Sequence, residues 1–259
     1  MSAENPYSPP VATVKDVVES ADGAGFLPEG RKVAAGRGLA WITEAFSMVF
    51  AQLGPWVLMW LLMMVIIVVL SMIPLLGMVS NILLPVLFAG FIVAAAKQDA
   101  GERVEVGDLF AGFREKFGPL ALVGLLFLVA SFVVFGIIFA VGAVTVFASV
   151  MSGGSQALLA NIGLLLLAIP VFMAAGLLVY SLIWFAPALV LRHDMQPLDA
   201  MKTSFKVTLR NLPAAIVFSL VATVVMIIAV IPFGLGLLVA GPAMSVSIYT
   251  AYRDLFLER

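Results

Sequence analysis

The chain has no cysteine and only one histidine, His193. The first absence excludes a disulfide framework and a thiolate metal site. The second leaves His193, beside Arg192, with no plausible partner set for catalysis or metal binding. Its plain role is that of a residue at a membrane-water boundary. Charge is scarce as well. Asp, Glu, Lys and Arg make up 11% of the 259 residues, against about 25% in a soluble domain. None occurs from Ala45 to Ala96, from Phe117 to Leu191, or from Asn211 to Tyr252. Each of these stretches far exceeds the roughly 20 apolar residues that cross a bilayer. They lack the polar alternation of an outer-membrane barrel, so the expected class is all-α, a polytopic helical membrane protein. An ion or proton pathway would need an ionisable residue at membrane depth, and these stretches contain none. The formal net charge of -1 gives no reason to expect nucleic acid as a partner. No catalytic residue, cofactor site or metal site is expected.

What is there is a pattern in three copies. Gly107-Asp108-Leu109-Phe110-Ala111-Gly112-Phe113 reads as a short amphipathic helix that runs to Pro119 and feeds a charge-free run. Similar arrangements span Glu44 to Pro55 and Met201 to Pro213, with Phe46, Phe110 and Ser204 each nine positions before the proline. Pro55 and Pro74 lie nineteen positions apart, as do Pro213 and Pro232, and each second proline follows an isoleucine. Agreement of this kind supports an internal repeat better than hydropathy does. Three units follow, 38–97, 105–192 and 197–253, each an interfacial helix plus a transmembrane hairpin, six spans in all. Pro85 is expected to kink the second span, and Pro242 sits ten positions after Pro232 much as Pro85 sits eleven after Pro74. Within the first interfacial helix, Leu39, Ile42, Phe46, Val49, Phe50 and Leu53 share an apolar face. The middle unit is the exception, because Pro119 and Pro170 are 51 positions apart. The surplus lies at about 139–169, with a turn at Ser152-Gly153-Gly154-Ser155. Each arm is too short to cross a bilayer. A helical pair folded back into the membrane, broken at Gly136, Gly142 and Pro170, is expected in preference to long helices continuous with spans three and four.

Ahead of the membrane domain, 36–259, residues 1–35 are rich in Pro, Gly and Ser and lack the apolar core of a signal peptide. They are expected to form a disordered tail. Asn5-Pro6-Tyr7-Ser8-Pro9-Pro10 favours a polyproline II segment, a candidate docking ligand for a protein partner. All fourteen Lys and Arg residues fall in the amino-terminal segment up to Arg37, the two connecting segments or the carboxyl end, and none at a hairpin tip. The positive-inside rule then places both termini on the cytoplasmic side of a bacterial inner membrane.

Few residues offer a site. Asn81, Thr145, Asn161, Tyr180, Ser181 and Tyr249 are the polar candidates within the apolar runs, and capping, self-bonding or helix contact explains each. The ordered set is Lys202, Lys206 and Arg210, spaced by four on one face of the third amphipathic helix, with Met201, Phe205, Leu209 and Leu212 on another. Such a stripe either faces phospholipid head groups or serves only to enforce topology.

Gly36-Arg37-Gly38-Leu39-Ala40-Trp41, the Gly-Asp-Leu-Phe-Ala-Gly-Phe segment at 107–113 and the three hairpins together resemble an uncharacterised proteobacterial family of six-span hypothetical transmembrane proteins. The likeness covers residues 31 to 259. More distantly, the alternation of interfacial helix and hairpin looks like the membrane region that precedes some glycerophosphodiesterases. Their catalytic domain has no counterpart in this chain, so the resemblance implies no activity. The expectation is a non-enzymatic inner-membrane scaffold or accessory protein whose partners are membrane lipids, anionic lipid among them. The alternative is a small transporter or channel for a neutral or lipophilic molecule. Oligomeric state is not legible.

Overall fold

In the computed structural model, residues 25–73, 76–152 and 155–258 are described. The motif at 5–10 and Asn161's side chain lie outside the described residues. Ten α-helices account for most of the rest: α1 (Arg37–Ala51), α2 (Leu53–Ser71), α3 (Leu76–Asp99), α4 (Ala111–Glu115), α5 (Phe117–Ser152), α6 (Ser155–Ile183), α7 (Ala186–His193), α8 (Pro197–Arg210), α9 (Leu212–Val230) and α10 (Leu237–Phe256), with a 3-10 turn at Val106–Phe110 before α4. Among the described residues there is no strand beyond one isolated antiparallel bridge, Phe26 to Leu257. Five stretches among the described residues are long and apolar enough to cross a membrane: Leu53–Ser71, Val79–Asp99, Phe117–Met151, Ala168–His193 and Leu212–Val230. The protein is an all-helical membrane protein.

The helix at the centre is α10. It buries 15 of its 20 residues, including Ser245, Ser247, Thr250 and Asp254, and packs against α1, α2, α3 and α9. A helix enclosed on all sides by other helices needs no continuous apolar exterior. This is why α10 is less apolar than α2, α5 or α9, which bury only narrow stripes. On α2 that stripe is Trp56, Met59 and Met63, three and four residues apart and so on one face.

α1 corrects the expected apolar face. Its buried residues are Gly38, Trp41, Ile42, Ala45 and Val49, whereas Leu39, Phe50 and the following Leu53 are exposed. The small residues Gly38 and Ala45 let α1 come close to α9 and α10, and Trp41 fills the space beside them. The larger side chains are left on the outside.

The arms around 139–169 also differ from expectation. α5 is one unbroken helix of 36 residues, and α6 is one of 29 that passes through Pro170. At 1.5 Å per residue, α5 is about 54 Å long. The fold-back at Gly136 and Gly142 fails because a lone glycine weakens a helix by only about 1 kcal/mol relative to alanine. α5 also packs against α6. Pro170 removes one ladder bond without ending the helix.

Part of the expected tail is ordered too. The Leu27 N–H donates to the Phe256 carbonyl (2.8 Å), the Glu258 N–H to the Gly25 carbonyl (2.8 Å), and the Arg31 N–H to the Leu255 carbonyl (2.9 Å). Residues 25–36 thus form a strap along the end of α10, satisfying carbonyls that a helix terminus leaves without partners.

Candidate functional site

Charged side chains gather at one end of the bundle and answer one another there. Asp254, 2% exposed, accepts hydrogen bonds from Arg31 Nη2 (2.5 Å), Arg37 Nε (2.5 Å) and Trp41 Nε1 (2.8 Å). Arg37 also reaches Glu44 (3.1 Å). Arg253 pairs with Glu44 (3.0 Å) and with Asp99, and the Tyr249 hydroxyl donates to Asp99 (3.0 Å). Lys116 pairs with Asp194. A buried carboxylate is tolerable only when its lone pairs are filled, and the three donors from the strap and α1 do this for Asp254. The cluster ties the strap, α1, α3 and α10 together. His193 belongs to the same end, hydrogen-bonded through Nε2 to the Tyr252 hydroxyl (2.6 Å) and stacked on Phe26 at 3.5 Å between centroids. It is half-buried and packed. Among the described residues no group of three or more His, Asp or Glu side chains could hold a metal ion.

The Gly107–Phe113 segment is a clasp on α3. Asp108 is buried and accepts a hydrogen bond from Lys97 (2.5 Å) and from the Glu105 N–H (2.9 Å). The chain lies so close that a Cβ on Gly112 would stand 2.2 Å from the Val86 carbonyl oxygen, and one on Gly90 2.3 Å from that of Leu109. Both glycines therefore mark backbone-to-backbone contact.

On α8 the buried side carries Pro197, Ala200, Met201, Ser204, Val207 and Thr208. Lys202, Lys206 and Arg210 lie on the exposed side as expected, but they are not bare. Lys206 pairs with Glu29 (2.5 Å), Arg210 donates weakly to the Glu29 and Gly30 carbonyls (3.4 Å each), and Lys202 faces Asp199 at 3.4 Å. The Lys206 hydrogen bond and charge hold the Glu29 carboxyl below its usual range. Leu198 and Leu209 are exposed beside this stripe.

The inner side of α8 carries the most specific geometry. In an unbroken helix the Phe185 N–H would donate to the Ser181 carbonyl four residues earlier. Instead it donates to Ser204 Oγ (3.0 Å), and Ser204 Oγ donates to the Ser181 carbonyl (2.7 Å). A serine hydroxyl from α8 is thus inserted into the ladder between α6 and α7, a recognised cause of kinks. Pro187, two residues on, removes the next ladder bond but one. The bend places Trp184 at the wall of a cavity of about 140 Å³ lined by Asn81, Leu84, Pro85 and Phe88 of α3, Phe127 of α5, Tyr180 and Ile183 of α6, Pro187 and Ile248. Trp184 is 3% exposed, and its Nε1 has no hydrogen-bond partner among the described residues.

The other polar candidates bond locally. Asn81 donates to the Gly77 carbonyl (3.3 Å), Thr145 to that of Gly142 (2.8 Å) and Ser181 to that of Leu178 (2.6 Å). Reading the sequence missed Asp254, Ser204 and Trp184. Asp254 had a weak signal, an acid directly after the basic residue that ends a charge-free run. Ser204 had none.

Residues 43–252 match a family described as a domain of unknown function, DUF7847. The chain belongs to this family. No curated protein and no solved structure matches the chain. Within the DUF7847 stretch lie the clasp, the α8 stripe, Ser204 and Trp184, whereas Arg31, Arg37, Trp41 and Asp254 fall outside it.

Proposed function

We propose that this chain is a non-enzymatic scaffold or accessory protein of a bacterial inner membrane. It crosses six times in three repeats of amphipathic helix and hairpin, has both termini in the cytoplasm, and contacts anionic lipid through α8. The observation that carries this reading is how the charged groups are used. At one end of the bundle they are joined in pairs that fix helix ends and the strap, an arrangement that serves rigidity. On α8, by contrast, Lys202 and Lys206 keep 66% and 64% of their side chains exposed beside exposed leucines, the composition of a helix at the boundary between acyl chains and head groups. α10 serves as the sixth span despite its polar residues, because its neighbours and not lipid surround it. The proteobacterial origin rests on the sequence likeness alone. The same holds for the kinship with the membrane region of glycerophosphodiesterases and for a partner docked on Asn5–Pro10.

The stripe also holds the strap, so its test needs two arms. Each basic residue near an anionic leaflet contributes about 1 kcal/mol. Replacing Lys202, Lys206 and Arg210 together by Gln is expected to lower co-purified phosphatidylglycerol and cardiolipin severalfold. Glu29→Gln breaks the tie to the strap but keeps the cations, and is expected to leave the lipid content at or above that of the parent. Unchanged lipid in the triple variant would reduce the stripe to a fastening for the strap.

A further inference from the structure

Among the described residues α6 and α9 do not pack side by side. Between them runs a groove of about 430 Å³, with Met173, Leu177 and Tyr180 on the α6 wall and Ile216, Ser219 and Leu220 on the α9 wall. Both walls belong to stretches apolar enough to cross a membrane, so a lipid chain can enter sideways without meeting water. One end of the groove is closed. The rings of Trp184 and Phe218 meet there, 4.9 Å between centroids, and join the two walls. α8 lies at the same end, because Ser204 bonds the Ser181 carbonyl and the Phe185 N–H, and Asn211 leads directly into α9. The stretch that crosses from one wall to the other is therefore 204–211, and it carries Lys206 and Arg210. Lys206 stays 64% exposed despite its pair with Glu29. The contacts of Arg210 to the Glu29 and Gly30 carbonyls are long, 3.4 Å each, which leaves its guanidinium fork able to take a stronger acceptor.

Size and charge together select the occupant. From Met173 to Tyr180 the groove is about 10 Å long, two turns of helix. A partner helix would bury far less there than the roughly 800 Å² per side of a stable protein interface. An acyl chain is slender enough to lie in it, and no charged side chain lines it. The cations at its closed end suit a phosphate, to which Arg presents paired donors. A head group with a cation of its own would be repelled by them. We propose that this groove seats one anionic phospholipid, with an acyl chain between α6 and α9 and its phosphate held by Lys206 and Arg210. Tyr180, 42% exposed, stands at that end one residue before Ser181. A ring with an apolar body and a polar tip belongs at the level of the glycerol esters. The inference rests on the lipid contact proposed for α8 and makes it specific, one bound molecule in place of a diffuse layer.

The test is native mass spectrometry of the full-length protein, stripped of lipid in detergent and titrated with phosphatidylglycerol or with phosphatidylcholine of the same chains. The expected result is one phosphatidylglycerol bound saturably, with phosphatidylcholine about tenfold weaker. Ala174→Trp fills the groove from the α6 wall and Ser219→Trp from the α9 wall. Each is expected to weaken phosphatidylglycerol binding about tenfold. Thr223→Trp, exposed on α9 outside the groove, is the control and should bind as the parent does. No saturable phosphatidylglycerol, equal affinity for the two lipids in the parent, parent-like binding in both filled variants, or an equal loss in Thr223→Trp would each overturn the proposal. If the filled variants bind like the parent, lipid loss on replacing Lys202, Lys206 and Arg210 by Gln would leave the α8 contact standing alone. Unchanged lipid in that variant too would end both readings. Ala174 is exposed and Ser219 half-buried, so neither tryptophan has to enter the core. Should one filled variant fail to fold, the other decides.

Discussion

Ser204 shows how much a single hydroxyl can carry. It is fully buried, and it stands between an N–H and a carbonyl that would otherwise bond each other. Ser204→Ala removes the partner of both groups. Either two buried backbone groups stay unsatisfied or the helix straightens. The expected loss is about 1–3 kcal/mol, measurable by reversible unfolding in mixed micelles, together with a shift in Trp184 emission. Wild-type stability and an unshifted spectrum would show that the bend is made by Pro187 alone. None of this could be read from the residues. In the repeat Ser204 occupies the position of Phe46 and Phe110, and nothing in its neighbours indicates that it reaches another helix. Lys202, Lys206 and Arg210 were legible as a stripe because spacing fixes a helix face. Their tie to Glu29 was not, since that depends on where a segment some 180 positions earlier comes to rest.

Glu29 makes the strap sensitive to acid. Its folded pKa is lowered, first by the Lys206 hydrogen bond and then by that residue's charge. A depressed carboxyl contributes stability that is fully present above its ordinary value of 4.5 and is lost as pH falls through the lowered folded value. Hydrogen-exchange protection of the Leu27 and Arg31 amides, corrected for intrinsic rates, should therefore fall below pH 4.5. In Glu29→Gln the portion of that fall due to this group should be absent. Identical pH curves for the two proteins would remove Glu29 from the account.

At the scale of elements, the hairpins were legible because charge-free length and proline spacing are one-dimensional signals. Which face of α1 is buried was not. Its large apolar residues suggested Leu39 and Phe50, but close packing selected Gly38 and Ala45. The clasp on α3 makes the same point in energetic form. Gly90→Ala and Gly112→Ala drive a methyl group against a backbone carbonyl that cannot move without displacing its helix. Each should cost about 1–3 kcal/mol and loosen residues 105–115 to protease. Gly136→Ala is the control. Nothing lies within 4 Å of its Cβ position, so it should be neutral or stabilise α5 by about 0.5–1 kcal/mol. If all three variants behave alike, the clasp does not hold these elements together.

For the whole molecule, the proposed six spans and inward termini lead to one arrangement of hairpin tips. Reporter domains inserted after Gly77, Gly153 and Gly234 should all register the periplasm, and fusions at either terminus the cytoplasm. A firm cytoplasmic signal from any tip would refute that topology. The α5 and α6 pair adds a further demand. About 54 Å of helix exceeds the 40–45 Å of a bilayer with its head groups, so an upright α5 would stand about 10 Å clear on the outer side or else lean strongly. Sequence length alone signalled the surplus. It gave no sign that the surplus extends two helices instead of adding two, because helix continuity depends on what each turn has to pack against.

The central position of α10 has a consequence for biosynthesis. α10 follows α1, α2, α3 and α9 along the chain, and all four pack against it. Until it emerges, the earlier spans must wait in the lipid around an unoccupied middle. Its serines, threonine and Asp254 make it a poor candidate to enter lipid unaided, whereas a half-built bundle offers Trp41 and the two arginines as ready partners. The strap then closes on residues 255–258, so residues 25–36 find their place only after α10 has arrived. Quality control that monitors the free strap would therefore be monitoring the arrival of α10.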